Sequence, residues 1–325
     1  MRSKKFISLV CVQVLIILLL MHMIAQKYTA RYISDNRINS NTIKKTKTKD
    51  LKYFYEPIAS TNEEVHKNWL KNTPIYTINK DTLNERFDYP IQKDAATFRI
   101  ITLGDSFTFG SNMDTKDNWT EILEDKLNSY GPKSKKFEVI NLGVRGYDIQ
   151  YMNERFIRRG SKYSPDLVIV LLGDFQLRLN ERMEDIIEKI KKDEPTLNPI
   201  ALQVRAIKTL VAELGLGAIV QLQKVQYSQL ISSIAGKTVL MKFPIQCENG
   251  VYKSFGISFS CSQLKQFDTI FVDSSIKNND IHFLNNIDWK SEYSLQDGHP
   301  NKLGHAFIAQ YIFNYLTSSK LLPKQ

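Results

Sequence analysis

The sequence predicts an α/β fold: a three-layer α/β/α sandwich on a central parallel sheet of about five strands, preceded by an N-terminal transmembrane helix. Three observations predict it. Residues 167–172 are an unbroken Leu-Val-Ile-Val-Leu-Leu run after Ser164-Pro165-Asp166, the pattern of a strand buried on both faces. Strand-like and helix-like segments alternate from residue 98 to residue 316, as parallel strands joined by crossover helices require. Residues 6–25 carry no formal charge and follow Arg2, Lys4 and Lys5. At about 1.5 Å per residue that stretch spans a bilayer core of roughly 30 Å.

In chain order, residues 1–25 read as a signal anchor, because the segment around Met21-His22-Met23-Ile24-Ala25 offers no Ala-x-Ala cleavage site. Residues 26–50, rich in Asn, Lys and Thr, read as a polar linker, and 51–97, richer in aromatics and Pro, as an irregular N-terminal arm. The main domain follows over 98–318. Its strand candidates are 98–103, 137–141, 167–172, 238–243 and 269–272; its helix candidates include 119–127, 147–159 and 303–316. A helical insertion over about 176–237 is longer than an ordinary crossover, with helical spacing in 183–192, 200–214 and 227–234. It suits an enlarged helical layer, a lid or a membrane-facing surface.

The formal charge of +10 does not indicate nucleic acid. Ten of the 44 Lys and Arg residues fall in positions 1–50, opposed there by Asp35 and Asp50 alone, so the remainder is close to balance. Of the three cysteines, Cys11 lies in the apolar segment. Cys247 and Cys261 flank a turn-rich stretch and fit either a disulfide in an oxidising compartment or two separate buried thiols. No metal-ligand spacing occurs among the histidines and cysteines, so no metal or other cofactor is expected.

The candidate chemistry starts at Gly104-Asp105-Ser106, where a strand runs into a turn and a helix begins. A hydroxyl there sits at the carboxyl edge of a sheet with its own N–H directed at a bound anion. Serine needs a base, and Asp297-Gly298-His299 supplies a histidine with a carboxylate to orient it, on a loop before the last helix. His22 lies in the apolar segment, His66 in the arm and His282 in a polar loop, while His305 packs the last helix. Asp105 and Asp174 read as turn or cap residues.

Together these blocks resemble the SGNH (GDSL-type) hydrolase superfamily, in its membrane-anchored bacterial form, over about residues 80–316. Gly104-Asp105-Ser106 matches the first block, Asn141-Leu142-Gly143-Val144-Arg145-Gly146-Tyr147 the second, and Asp297-Gly298-His299 the last. The resemblance implies a flavodoxin-like sheet, a Ser106–His299–Asp297 triad acting through an acyl-enzyme, and oxyanion donors at the Ser106 and Gly146 N–H groups, with Gly143 serving the turn. It also exposes a departure: Gly173 stands where relatives carry a donor Asn, leaving its own N–H, Gln176 or Asn180 as substitutes. The implied activity is hydrolysis of an ester, either an O-acyl group of a glycan or a lipid. The alternatives are an O-acyltransferase of exported polysaccharide, or a catalytically weak binding or assembly protein. The expected setting is a single-pass membrane protein with its domain on the extracytoplasmic (periplasmic) side.

Overall fold

A computed structural model describes residues 13–21, 23, 42–173, 178–243, 247–254, 257–264, 279–283, 292–319 and 321–323. Five parallel strands form the central sheet: β1 (Thr97–Gly104), β2 (Lys136–Asn141), β3 (Leu167–Leu172), β4 (Lys237–Lys242) and β5 (Asn279–Phe283), in spatial order β2-β1-β3-β4-β5. The chain builds outward from β1 to β2, then crosses to place β3 on the other side of β1. That reversal opens a crevice at the carboxyl ends of β1 and β3, where ligands bind in sheets of this type.

Alternation along each strand divides the core between two helical layers. Ile100, Val139, Leu167, Ile169, Leu171, Val239 and Met241 face one layer, formed by α2 (Trp119–Tyr130) and α6 (Lys302–Ser318). Ile101, Leu103, Ile140, Val168, Val170, Leu172 and Leu240 face the other. That layer comprises α3 (Ile149–Arg155), α4 (Asn180–Asp193) and α5 (Pro199–Ser233); the very short α1 (Ser106–Phe109) sits at the sheet edge. Ala201–Ser233 is apolar and long enough to cross a membrane, yet its Leu202, Ala206, Leu210, Tyr227 and Leu230 are buried in this core. The insertion thus packs these positions into the same core cluster.

Several elements differ from expectation. The two helices expected over 200–214 and 227–234 form one run, broken at Gly215 (φ 73°, ψ 154°). The helix expected from 147 starts at Ile149 because Asp148 caps it, accepting the Tyr151 N–H at 2.9 Å. The fifth strand expected over 269–272 lies outside the described residues; the fifth position is taken by β5, on which His282 stands opposite Met241 instead of in a loop. An edge strand paired on one side needs no continuous apolar run, which is why Asn279-Asp280-Ile281-His282 escapes notice. Ile43–Lys45, within the expected linker, pairs with Tyr55–Pro57, and the arm contains a hairpin of Thr61–Glu64 with Ile75–Ile78. Of the apolar span 6–25, residues 13–21 are helical with exposed side chains, and most of the rest lies outside the described residues.

The arm is fastened to α3 by a buried ion cluster. Glu56 takes Arg155 at 2.5 Å and a bidentate pair from Arg159 at 2.9 and 3.0 Å. Burial pushes the Glu56 carboxyl up, but the hydrogen bond from Arg159 and the charges of Arg155 and Arg159 outweigh it and hold the group at about 2. A carboxyl depressed on folding stabilises the protein above its unfolded value, and that contribution is lost as pH falls through the folded value. Glu56→Gln is therefore expected to lower the unfolding free energy near neutral pH by about 3–5 kcal/mol, because Arg155 stays buried without its carboxylate. The variant should also lose less stability than the parent between about pH 5 and pH 2, as urea unfolding across that range would show.

Candidate active site

The β1–α1 turn is set by packing that excludes side chains. A Cβ at Gly104 would lie 2.0 Å from Thr108 Oγ1 and 2.7 Å from the Leu171 carbonyl, so only glycine lets the turn close against β3. Asp105 caps α1 by accepting the Phe107 N–H at 3.0 Å, which leaves Ser106 at the first helical position, half-buried. A helix this short cannot satisfy its own carbonyls. Three buried asparagines do so: Asn118 and Asn141 donate to the Thr108 carbonyl at 2.9 Å each, and Asn84 donates to that of Phe109 at 2.8 Å.

The second half of the site is the loop before α6. Leu295 N–H donates to the His299 carbonyl at 2.7 Å, Gly298 adopts φ 87°, and Asn301 caps α6 by accepting the Gly304 N–H at 2.9 Å. This folds Asp297 back on His299. The carboxylate Oδ2 lies 2.9 Å from His299 Nδ1, and its Oδ1 accepts the His299 backbone N–H at 3.2 Å. His299 Nε2 lies 2.9 Å from Ser106 Oγ. An ionised carboxylate can only accept, so Nδ1 carries the proton and Nε2 accepts from the serine hydroxyl. Burial would raise the Asp297 carboxyl, but the hydrogen bond and charge of His299 prevail and hold it below the usual carboxylate range. Phe107 packs beside the His299 ring (centroids 5.6 Å apart) and against Phe243 on its other side (5.1 Å).

The structure thus brings together Ser106, His299 and Asp297, from segments up to 193 residues apart. Gly146 sits in the 142–148 loop at φ 80°, and among the described residues its N–H has no hydrogen-bond partner. The loop is pressed onto the β1–α1 turn: Val144 N–H donates to the Gly104 carbonyl at 3.2 Å, and a Cβ at Gly143 would lie 2.5 Å from Phe109 N. Gly143 serves this close approach. Asn180, one substitute for the missing Asn, instead directs its amide to the Gly146 carbonyl at 2.9 Å and orients that peptide. Gly173 directly follows β3, and a Cβ there would lie 3.3 Å from Asp105 Oδ2. Gln176 and Asp174 lie outside the described residues.

His305 is fully buried, and its Nδ1 accepts the Trp119 N–H at 3.2 Å, capping α2 in place of Asn118, whose amide is committed to α1. Burial, with the charge of His299, lowers its pKa to about 3, so it stays a neutral acceptor. His66 is exposed beside Glu64. Among the described residues no three His, Cys, Asp or Glu side chains converge as a metal site. Sequence reasoning missed Asn112, which donates to Asp297 Oδ2 at 2.8 Å. The signal available was an Asn two residues after Gly110 in a turn, a type that tolerates the φ of 67° found there.

The model of the GDSL-like Lipase/Acylhydrolase family matches residues 102–245. No curated protein matches the sequence. Among solved structures, TesA is similar at 16% identity over 69% of this chain and 99% of its own, with a TM-score of 0.41. The psychrotrophic esterase EstA from Pseudoalteromonas sp. is similar at 18% identity over 68% and 97%, with a TM-score of 0.38. Axe2, an acetylxylan esterase from Geobacillus stearothermophilus, is similar at 13% identity over 72% and 100%, with a TM-score of 0.42. Residues 102–245 thus resemble the GDSL-like lipases and acylhydrolases, a family of ester-cleaving hydrolases.

Proposed function

We propose that Ser106, His299 and Asp297 are the catalytic triad of a carboxylic ester hydrolase working through an acyl-enzyme. The observation that carries this reading is the continuous hydrogen-bond line from Asp297 through His299 to Ser106, with 2.9 Å at each step. His299 Nε2 takes the Ser106 proton as Oγ bonds to the ester carbonyl carbon, and Asp297 stabilises the imidazolium. The tetrahedral oxyanion rests on the Ser106 and Gly146 N–H groups, with the Gly173 N–H as a third donor. Collapse breaks the bond to the alcohol, which leaves with the proton from Nε2. Water, deprotonated by His299, then attacks the acyl-enzyme, releases the acid and restores the Ser106 hydroxyl. Gly173 offers no side-chain donor, and the loss of one such donor typically lowers turnover about 10²–10³-fold.

The substrate proposed is a short O-acyl group on an exported glycan. The His299 side chain is 25% exposed and Ser106 half-buried, which suits a short acyl group carried on a bulky, hydrated alcohol. The setting proposed is extracytoplasmic, tethered by residues 6–25. Supporting it is the Cys247–Cys261 disulfide (Cα–Cα 6.3 Å), which closes the hairpin of Val251–Ser254 and Ile257–Ser260 and suits an oxidising compartment.

With p-nitrophenyl esters, Ser106→Ala and His299→Ala are each expected to lower kcat by about 10⁴-fold or more at unchanged fold. The parent should prefer acetate to decanoate in kcat/KM; parent-like rates in either variant contradict the triad, and a preference for decanoate contradicts the glycan assignment in favour of a lipid ester. Protein isolated from its cells without reductant should yield Cys247 and Cys261 in one linked peptide, whereas two alkylatable thiols would contradict the compartment.

A further inference from the structure

Two segments meet at the site: 104–112, carrying Ser106, and 293–299, carrying Asp297 and His299. Among the described residues two hydrogen bonds join them. One is Ser106 Oγ to His299 Nε2, the bond that reacts. The other runs from Asn112 Nδ2 to Asp297 Oδ2 at 2.8 Å. Once Ser106 is acylated its hydroxyl proton is gone and the first link no longer exists. The Asn112 link involves neither of the atoms that react.

Asn112 is itself held firmly. It is 5% exposed, with φ 67°, and follows directly from α1, where the Gly110 and Ser111 N–H groups return to the Ser106 carbonyl at 3.1 and 3.0 Å. Its own N–H donates to Tyr76 Oη at 2.7 Å. Tyr76 belongs to the arm hairpin, and its ring packs edge-on against Phe109 at 4.9 Å between centroids. The same hairpin supplies Glu63, whose carboxylate holds Arg145, the neighbour of Gly146, at 2.9 Å. Arg145 lies over the rings of Tyr76 and Phe109, at 5.3 and 5.0 Å. One hairpin, ahead of the 102–245 stretch matched by the family, therefore braces both the carboxylate and the candidate oxyanion turn.

We infer that Asn112 is a positioning residue of the esterase: its amide, held by Tyr76 of the N-terminal hairpin, fixes Asp297 so that His299 stays aligned after Ser106 has been acylated. This rests on the triad reading above. The charged and titratable groups around the pair are Lys67 from the hairpin loop, which favours the Asp297 carboxylate, and Tyr76, Arg145, Glu63 and His305.

The test is steady-state kinetics of the full-length chain as a function of pH. Asn112→Asp keeps the shape and the tolerance for positive φ but faces Asp297 with a second carboxylate. Asn112→Gly keeps the backbone freedom and removes the amide. Both are expected to lower kcat by about ten- to hundredfold with little change in KM. In Asn112→Asp the acid limb of kcat/KM should move to higher pH, because added negative charge favours protonated His299. Parent-like kcat and pH profile in both variants overturn the inference, as does a fall in kcat with the acid limb of Asn112→Asp unmoved, which is what a merely structural role gives. Should Asn112→Asp not fold, Tyr76→Phe carries the test with Asn112→Gly, and unchanged kcat in both overturns it. If Ser106→Ala and His299→Ala are inactive, either result overturns this inference alone; an active Ser106→Ala removes the triad itself.

Discussion

The β1–α1 turn leaves no room for side chains on the surfaces where it meets its neighbours, and the rest of the site follows from that closeness. Gly104 lies against Thr108 and the end of β3, and Gly143 lies against the backbone of α1. Because both contacts are made by bare backbone, the turn carrying Ser106, the loop carrying Gly146 and the end of β3 at Gly173 converge on one small volume at the switch point of the sheet. A four-residue helix in that position is too short to hold itself, and the surrounding Asn84, Asn118 and Asn141 supply the donors its carbonyls lack. A substitution at Gly104 or Gly143 would therefore displace Ser106 and the 142–148 loop together.

The arm is the second organising element. It is tied to α3 through Glu56, Arg155 and Arg159, and to the 142–148 loop through Tyr55 Oη, which donates to the Arg145 carbonyl at 2.6 Å. Through Tyr76 it reaches Asn112 and so Asp297. The part of the chain that reads as least regular thus lies against both halves of the site. Its ion cluster also keeps the carboxylate of Glu56 charged where burial would neutralise it, so the attachment depends on complete pairing of buried charges.

Four of the five strands were legible: the three inner ones because burial on both faces forces continuous apolar runs, as in Leu167–Leu172, and the edge strand β2 through its Val139-Ile140 pair. The grouping of Ser106, Asp297 and His299 was legible because the proposed chemistry demands those residue types in that company. β5 was not, since one-sided pairing permits Asn279 and Asp280 in an edge strand. Nor was the arm hairpin, whose Thr61-Asn62-Glu63-Glu64 strand shows no apolar alternation. The asparagines that hold α1 and Asp297 leave no periodic signal, because each acts through a single amide at a distance set by the tertiary fold. Cys247 and Cys261 were open between bonded and free, and the sulfurs are joined. For Asn180 the sequence offered a role in the oxyanion site; its amide reaches the Gly146 carbonyl instead, a choice fixed by the start of α4 beside that turn.

The central claim is that Ser106 is a nucleophile activated by His299. Reaction of the full-length chain with a fluorophosphonate, followed by peptide mass mapping, tests it most directly. The account predicts a single phosphonylated peptide modified at Ser106, with labelling abolished by Ser106→Ala and strongly slowed by His299→Ala. Labelling at another residue, or undiminished labelling of Ser106 without His299, would contradict it.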